Sequence, residues 1–340
     1  MVKSLDSQDL ENARVEGVVV NTFHLASDPG TTVLKKFGGI KNFMKFDGLV
    51  TSDSGGWQVF SLIHRNKTAG SITDKGVRFT IGTKKKEVFT PEKSIQAQFA
   101  IGGDLIICLD DFTPPDAPFE KIKGSVDRTV LWAKKSKIEY QKYIQKHDLN
   151  DENRPLILAV VQGGWDRKLR KECAEKLVEI GFDGYGFGGY VIDDETKKMD
   201  LNVSKYIAEL IPNDKLKFAL GVGSPYEIAM CRQFGWDIFD CTLPTRDARH
   251  KRLYIFDHEP KGLKDLLDPK LYGFIYIGRE VYRRNEKPIS KFCDCFTCQN
   301  YSLGYLNHLF EIEDSSAFRL ATIHNLRHYT KLIEYLKIFK

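Results

Sequence analysis

Seven short apolar runs, each closing on a polar residue or a glycine, constrain the fold of this chain more than any other feature. They are GVVVN (17–21), GLVTSD (48–53), DLIICLD (104–110), LILAVVQ (156–162), DGYGFGG (183–189), KFALGVG (217–223) and WDIFD (236–240). Stretches with helical patterns fill most of the gaps, at 119–146, 166–180, 200–211 and 224–234. Continuous apolar strands alternating with helices imply a parallel sheet covered on both faces, since a solvated face would impose a polar residue at every second position. The class is therefore α/β. The leading architecture is a TIM-type (β/α)8 barrel, with a doubly wound open sheet as its rival. A chain of 340 residues has room for one domain of that size and a small appendage.

Residues 4–15 read as a short amphipathic helix with Leu5 and Leu10 on one side. GVRFTI (76–81) and EVFTP (87–91) read as a hairpin with the lysines of GTKKK in its turn. Thr90 and Pro91 then supply the cap and first position of a helix. From residue 255 the alternation gives way to a mixed, charged region ending in helices. The expected organisation is a barrel over 1–254, with a hairpin insertion near 75–90, and a zinc-binding subdomain over 255–340 packed on it. No apolar run is long enough to cross a bilayer and the N-terminal stretch has no secretory leader core, so a cytoplasmic location is expected. A net charge of +5 does not by itself require a nucleic-acid partner, although local clusters of charge matter more than the total.

The residues that close the runs are Asn21, Asp53, Asp110, Gln162, Gly188 with Gly189, Gly221 and Asp240. In a β/α barrel the carboxyl ends of the strands form one mouth, where active sites of that fold lie. Carboxylates, amides and glycine turns gathered there offer hydrogen bonds to a flat heterocycle. The stretch WDIFDCTLPTRDARHKR (236–252) adds a basic run, Arg246, Arg249, Lys251 and Arg252, after a proline-containing turn. A carboxylate at a strand end beside a cationic loop suits a nucleophile that attacks a polyanion, although a lone aspartate there is more often a turn former. Three of the seven cysteines, Cys293, Cys295 and Cys298, lie within six residues, and His324 follows on a helical segment. Three thiolates and an imidazole suit a closed tetrahedral structural Zn2+ site rather than a disulfide framework. His308 and His328 compete with His324 as the fourth ligand.

DSGGWQVFSL, VVQGG followed by FDGYGFGG, LGVGSPYE, FDCTLPTRDAR and CDCFTCQNYS with a later HNL together resemble the tRNA-guanine transglycosylase family, in the family's order. The resemblance implies exchange of a guanine in tRNA, at the anticodon wobble position, for a 7-deazaguanine base through a covalent glycosyl-enzyme intermediate. It makes Asp240 the nucleophile and Asp53 the general acid/base, with Asn21 close enough to orient Asp240. Asp110 accepts from the N–H edge of guanine, Gln162 and the backbone N–H of Gly189 bind its carbonyl, and Leu220 and Trp57 sandwich the ring. Arg246 and Arg249 match the loop that grips the anticodon. A homodimer, or pairing with a related subunit, is implied as well.

Four departures from the family pattern carry expectations. A first strand with a Pro-Val-Gly turn belongs ahead of Met1, so the barrel is expected to lack that strand. GGYVIDDE stands where bacterial members commonly have GGLAVGE, which puts Tyr190 and Ile192 where the substituent of the deazaguanine projects. Phe112 stands where bacterial members often have cysteine, and Leu303 replaces a frequent arginine on the expected subunit-pairing surface. Two other functions stand beside the first: transfer of a deazaguanine into DNA, and a catalytically inert RNA-binding partner subunit. The presence of both Asp240 and Asp53 counts against the inert subunit.

Overall fold

A computed structural model describes residues 2–57, 70–81, 85–114, 117–189, 192 and 198–339 of the chain. Strands β1 (Gly17–Val20) and β2 (Leu49–Ser52) are followed by a three-stranded antiparallel insertion, β3 (Gly70–Thr73), β4 (Gly76–Ile81) and β5 (Lys85–Phe89). Then come β6 (Leu105–Ile107), β7 (Leu156–Val161), β8 (Gly184–Phe187), β9 (Leu216–Ala219) and β10 (Ile238–Phe239). The main sheet runs β1-β2-β6-β7-β8-β9-β10, and its ladders from β1 to β9 are parallel. Each strand lies beside its neighbour in the chain, which is the winding of a β/α barrel. A doubly wound sheet reverses its order at a switch point, and this one does not. Among the described residues the sheet has seven strands.

Two compact units emerge. One, the sheet unit, comprises Gly17–Leu220 and Phe234–Ile238; the other, the helical unit, comprises Met1–Glu16, Gly221–Gln233 and Phe239–Lys340. In the sheet unit the strands are apolar because both faces are covered: Ile157 through Val161 of β7 are all buried. The helix Phe119–Lys146 buries Ile122, Val126, Thr129, Trp132, Ala133, Ser136 and Tyr140, an apolar stripe at helical spacing. The helix Pro91–Ile101 begins as the sequence indicates, with the Thr90 side chain accepting from Lys93 N at 3.2 Å. It ends at Gly102, whose φ of +76° is the left-handed value that glycine tolerates best. The insertion has three strands rather than the two expected. The short, weakly apolar GSIT of β3 carries little strand signal, and its pairing with β4 is what orders it. Val77, Leu109 and Trp132, with Phe23, Ile72 and Phe89, form the apolar cluster beneath the insertion.

The helical unit centres on the helix Ser315–Ile338 and the antiparallel pair β11 (Arg252–Phe256) and β12 (Tyr272–Tyr276). The N-terminal helix is Ser7–Asn12, shorter than expected, and is capped by Asp6. Its Asp9 is buried and pairs with Arg319, whose Nε donates at 2.8 Å. Leu303, expected at a surface, is buried in the unit's core beside Leu306, Leu309 and Phe310. None of the described helices is long and apolar enough to cross a membrane.

Candidate active site and metal centre

In the sheet unit the run-closing residues meet through hydrogen bonds. Asp53 follows β2, and its backbone N–H donates to Val20 O at 3.0 Å, tying the ends of β1 and β2 together. Its carboxylate accepts from Asn21 Nδ2 at 2.8 Å, Thr22 N at 2.8 Å and Gly55 N at 3.0 Å, so its orientation is fixed by three donors. Asn21 uses the other end of its amide, Oδ1, to accept from His24 N at 2.9 Å. Both ends of the Asn21 amide thus have partners within the sheet unit.

Asp110 follows β6 and accepts from Gln162 Nε2 at 2.6 Å across the end of β7. The side chain is half-buried, with protein around most of it. Burial pushes its pKa up to about 6, against the lowering effect of the Gln162 hydrogen bond. Gly188 and Gly189 pack against Gln162: a Cβ on Gly188 would lie 2.7 Å from Gln162 Nε2, and one on Gly189 would lie 3.0 Å from Oε1. Leu220 lies across Gly186, where a Cβ would come within 2.9 Å of Leu220 Cδ1. Trp57 is 55% exposed and meets Phe112 edge-on at 4.8 Å. Tyr190 lies outside the described residues, and Ile192 forms an isolated bridge with Met199.

One member of this cluster is absent from the sequence reading. Arg170, on the helix Arg167–Ile180, is fully buried and donates to Val161 O at 2.6 Å, Gly188 O at 2.5 Å and Gly164 O at 3.0 Å. The signal that could have found it is its phase. Arg170, Cys173, Ala174 and Leu177 share one helix face, so an arginine sits in the apolar stripe.

In the helical unit, Asp240 Oδ1 accepts from Gly221 N at 2.9 Å, and Oδ2 accepts no hydrogen bond among the described residues. Gly221 has φ +75°, so the turn that presents this N–H favours glycine. Burial raises the pKa of Asp240, against the Gly221 hydrogen bond. The expected basic loop is instead a helix, Leu243–Arg249, because Pro244 falls in its first turn, where proline's fixed φ favours the helix. Arg246 is exposed on it; Asp247 is committed to Tyr254 Oη, which donates at 2.6 Å. Asn325 braces this helix, donating to Pro244 O and Arg252 O at 3.0 Å each and accepting from Tyr254 N at 3.0 Å. Tyr329 Oη donates to Gly223 O at 2.7 Å.

Cys293, Cys295, Cys298 and His324 form one buried cluster whose ligand atoms all lie within 4.8 Å of one another. His324 Nε2 is 2.8 Å from Tyr254 O, which assigns the N–H to Nε2 and turns Nδ1 toward Cys298 Sγ (3.3 Å) and Cys295 Sγ (3.8 Å). Hydrogen bonds from Cys295 and Cys298 hold the Cys293 thiol well below its ordinary range. By contrast, burial pushes Cys108 and Cys241 up to about 12 and Cys173 to about 11, as expected of inert thiols. Of the two competing histidines, His308 is exposed and His328 is buried 4.1 Å from the ring of Phe256; neither belongs to the cluster. The set fits a tetrahedral divalent metal that prefers sulfur and nitrogen.

The family model described as queuine tRNA-ribosyltransferase matches residues 1–338 of this chain. The chain belongs to this family. The queuine tRNA-ribosyltransferases of Psychrobacter cryohalolentis, Haemophilus influenzae (strain 86-028NP) and Blochmanniella pennsylvanica are 36%, 36% and 35% identical to it. The matched spans cover 99%, 98% and 99% of this chain and 82%, 80% and 84% of those relatives. Membership makes the chain a pentosyltransferase of the tRNA-guanine transglycosylase kind. For a tRNA-ribosyltransferase, Asp110, Gln162 and the Gly188–Gly189 turn are the part of the expected base pocket that the sheet unit brings together. Asp53 and Asn21 form a second group there, and Asp240, Arg246 and Arg249 lie with the metal cluster in the helical unit.

Proposed function

We propose that the chain removes a guanine from tRNA and installs a 7-deazaguanine by double displacement on Asp240. The observation that carries this reading is the family match over nearly the whole chain, in a sequence that has both Asp240 and Asp53. An Asp240 oxygen attacks C1′ of the target ribose. The C1′–N9 bond breaks, the electron pair leaves with guanine, and Asp53 supplies its proton. The incoming base then gives a proton to Asp53 and attacks C1′, displacing the Asp240 carboxylate and restoring the glycosidic bond. Asp110 accepts from the N–H edge of the base, Gln162 and Gly189 N–H hold its carbonyl, and Leu220 and Trp57 enclose the ring. Arg246 and Arg249 bind the phosphates of the anticodon stem-loop.

Cys293, Cys295, Cys298 and His324 would hold Zn2+, a structural crosslink through which no step passes. Its polymer is tRNA rather than DNA, in keeping with the names of its relatives, and the family resemblance supports a cytoplasmic enzyme that forms a homodimer or pairs with a related subunit. Bulk at Tyr190 and Ile192 favours a base with a small substituent, the aminomethyl or cyano precursor, over the cyclopentenediol of queuine. The test is mass analysis of nucleosides from tRNA incubated with the protein and each base in turn. Incorporation of a 7-deazaguanine at one guanine is expected. Incorporation into DNA and not tRNA would defeat the polymer assignment, and preferred use of queuine would defeat the substituent argument.

A further inference from the structure

Arg170 is anomalous among the buried arginines. Arg327, equally inaccessible, pairs with Asp294 at 2.6 Å and Glu334 at 2.8 Å, and even the half-buried Arg154 forms two hydrogen bonds with the carboxylate of Asp183. Arg170 has no carboxylate within ion-pair reach among the described residues; its charge meets three backbone carbonyls and, at 5.5 Å, the ring of Phe187. Its remaining nitrogen, Nη2, is buried without a hydrogen-bond partner among the described residues. That nitrogen lies 3.3 Å from the point a Gly189 Cβ would occupy. An uncompensated buried guanidinium is costly to fold, so its placement calls for an explanation other than stability.

The three carbonyls explain it. Val161 O and Gly164 O flank Gln162, and Gly188 O belongs to the peptide unit whose N–H is that of Gly189. A cation on the carbonyl end of a peptide draws electron density toward itself and strengthens the N–H at the other end as a donor. We propose that Arg170 is a positioning residue for base exchange, holding the Gly188–Gly189 peptide and polarising it. The Gly189 N–H then grips the carbonyl of guanine more tightly as negative charge builds on the departing base. This rests on the reading that Gly189 N–H receives the base carbonyl. When the C1′–N9 bond breaks, the electron pair delocalises from N9 to the ring carbonyl before the proton from Asp53 settles it. Arg170 touches neither base nor sugar in this scheme.

The experiment uses the full-length protein, Arg170→Lys and Arg170→Gln, with two free bases as probes. Guanine carries the ring carbonyl and 2-aminopurine lacks it. Lysine keeps the charge without the fork, and glutamine keeps a donor without the charge. Guanine affinity is expected to fall about tenfold or more in both variants, while 2-aminopurine affinity moves less than about twofold. The kcat for guanine exchange should fall about tenfold or more in parallel, with KM for tRNA within about twofold of wild type. A merely structural role would weaken both bases alike, and that result, or unchanged guanine binding in folded variants, overturns the proposal. Should neither variant fold, the wild type decides: guanine must outbind 2-aminopurine by more than about tenfold, and near-equal affinities overturn it. A wild type that neither binds nor exchanges guanine defeats the transglycosylase reading first and takes this inference with it. An active wild type whose variants show no carbonyl-specific loss defeats the inference alone.

Discussion

The strand-end cluster of the sheet unit and the cysteine–histidine cluster of the helical unit are both polar and largely buried, yet they spend their bonding capacity in opposite ways. Around His324, both ring nitrogens have partners and the three sulfurs face one another. Around Gln162, Asp110 sits with its pKa raised to about 6, and Arg170 holds a nitrogen with no hydrogen-bond partner among the described residues. The metal cluster is closed and suited to stability. The strand-end cluster keeps a carboxylate at a cost and a guanidinium with no ion-pair partner among the described residues, which is how a site arranged for chemistry differs from one built to hold.

The largest expected effect tests the closed side. Metal binding to such a set is coupled to folding by on the order of 10 kcal/mol. Chelation, or Cys298→Ala, should therefore strip one equivalent of zinc and sharply lower the unfolding midpoint, read by metal analysis and thermal melting. Metal-free protein with an unchanged melt would erase the contrast. Next comes Asp240→Asn, which removes the anion and little volume. Exchange should fall by about a thousandfold or more while tRNA binding persists, and the covalent RNA adduct seen on denaturing gels with a deazaguanine that stalls turnover should vanish. Normal adduct yield from this variant would mean that another residue is the nucleophile.

A smaller effect tests the open side. The folded-state pKa of Asp110 is raised from 3.8 to about 6, so the folded protein prefers the protonated acid. The associated stability is fully present below about pH 3.8 and is lost as pH rises through 6. At pH 7 the ionised group is a burden, and Asp110→Asn should stabilise the fold by about 1–2 kcal/mol, allowing for water that still reaches the side chain. The gain should fade on acidification toward pH 4, and base binding should weaken. A variant that is less stable at neutral pH would show that this carboxylate is not held at a cost. The smallest effect is for Arg246→Ala. An exposed arginine on a short helix should contribute a few-fold to tRNA affinity, and its loss should lower the slope of log K against log salt by about one, measured by filter binding over a salt series.

Much of this contrast was legible in the sequence. The apolar runs carry their own strand signal, so Asp53, Asp110 and Gln162 could be placed at strand ends, and three cysteines within six residues announce a metal site by composition alone. Arg170 was not legible in the same way, because in RKLRKECAEK it is one charge among many and only its phase within the stripe betrays it. Pro244 misled in the other direction: a proline after a strand reads as a turn, and the helix it starts is held by Asn325, 81 residues away. The choice among His308, His324 and His328 also depended on the third dimension. All three sit on helices, and only the acceptor at Tyr254 O shows which ring is turned toward the thiols.

The pairing of Asp9 with Arg319 has a consequence for how the chain is made. The partners are 310 residues apart, and Arg14 and Glu334, also paired, are 320 apart. On a ribosome adding about 5–20 residues per second, the first helix waits on the order of tens of seconds for its partner. The strands of the sheet unit, by contrast, each pair with one made shortly before. A nascent polypeptide ending before Ser315 would have three thiols without their imidazole, Asp9 without its guanidinium, and Gly223 without the hydroxyl of Tyr329. The order of synthesis thus keeps the helical unit, and Asp240 within it, unfinished until the last helix has emerged.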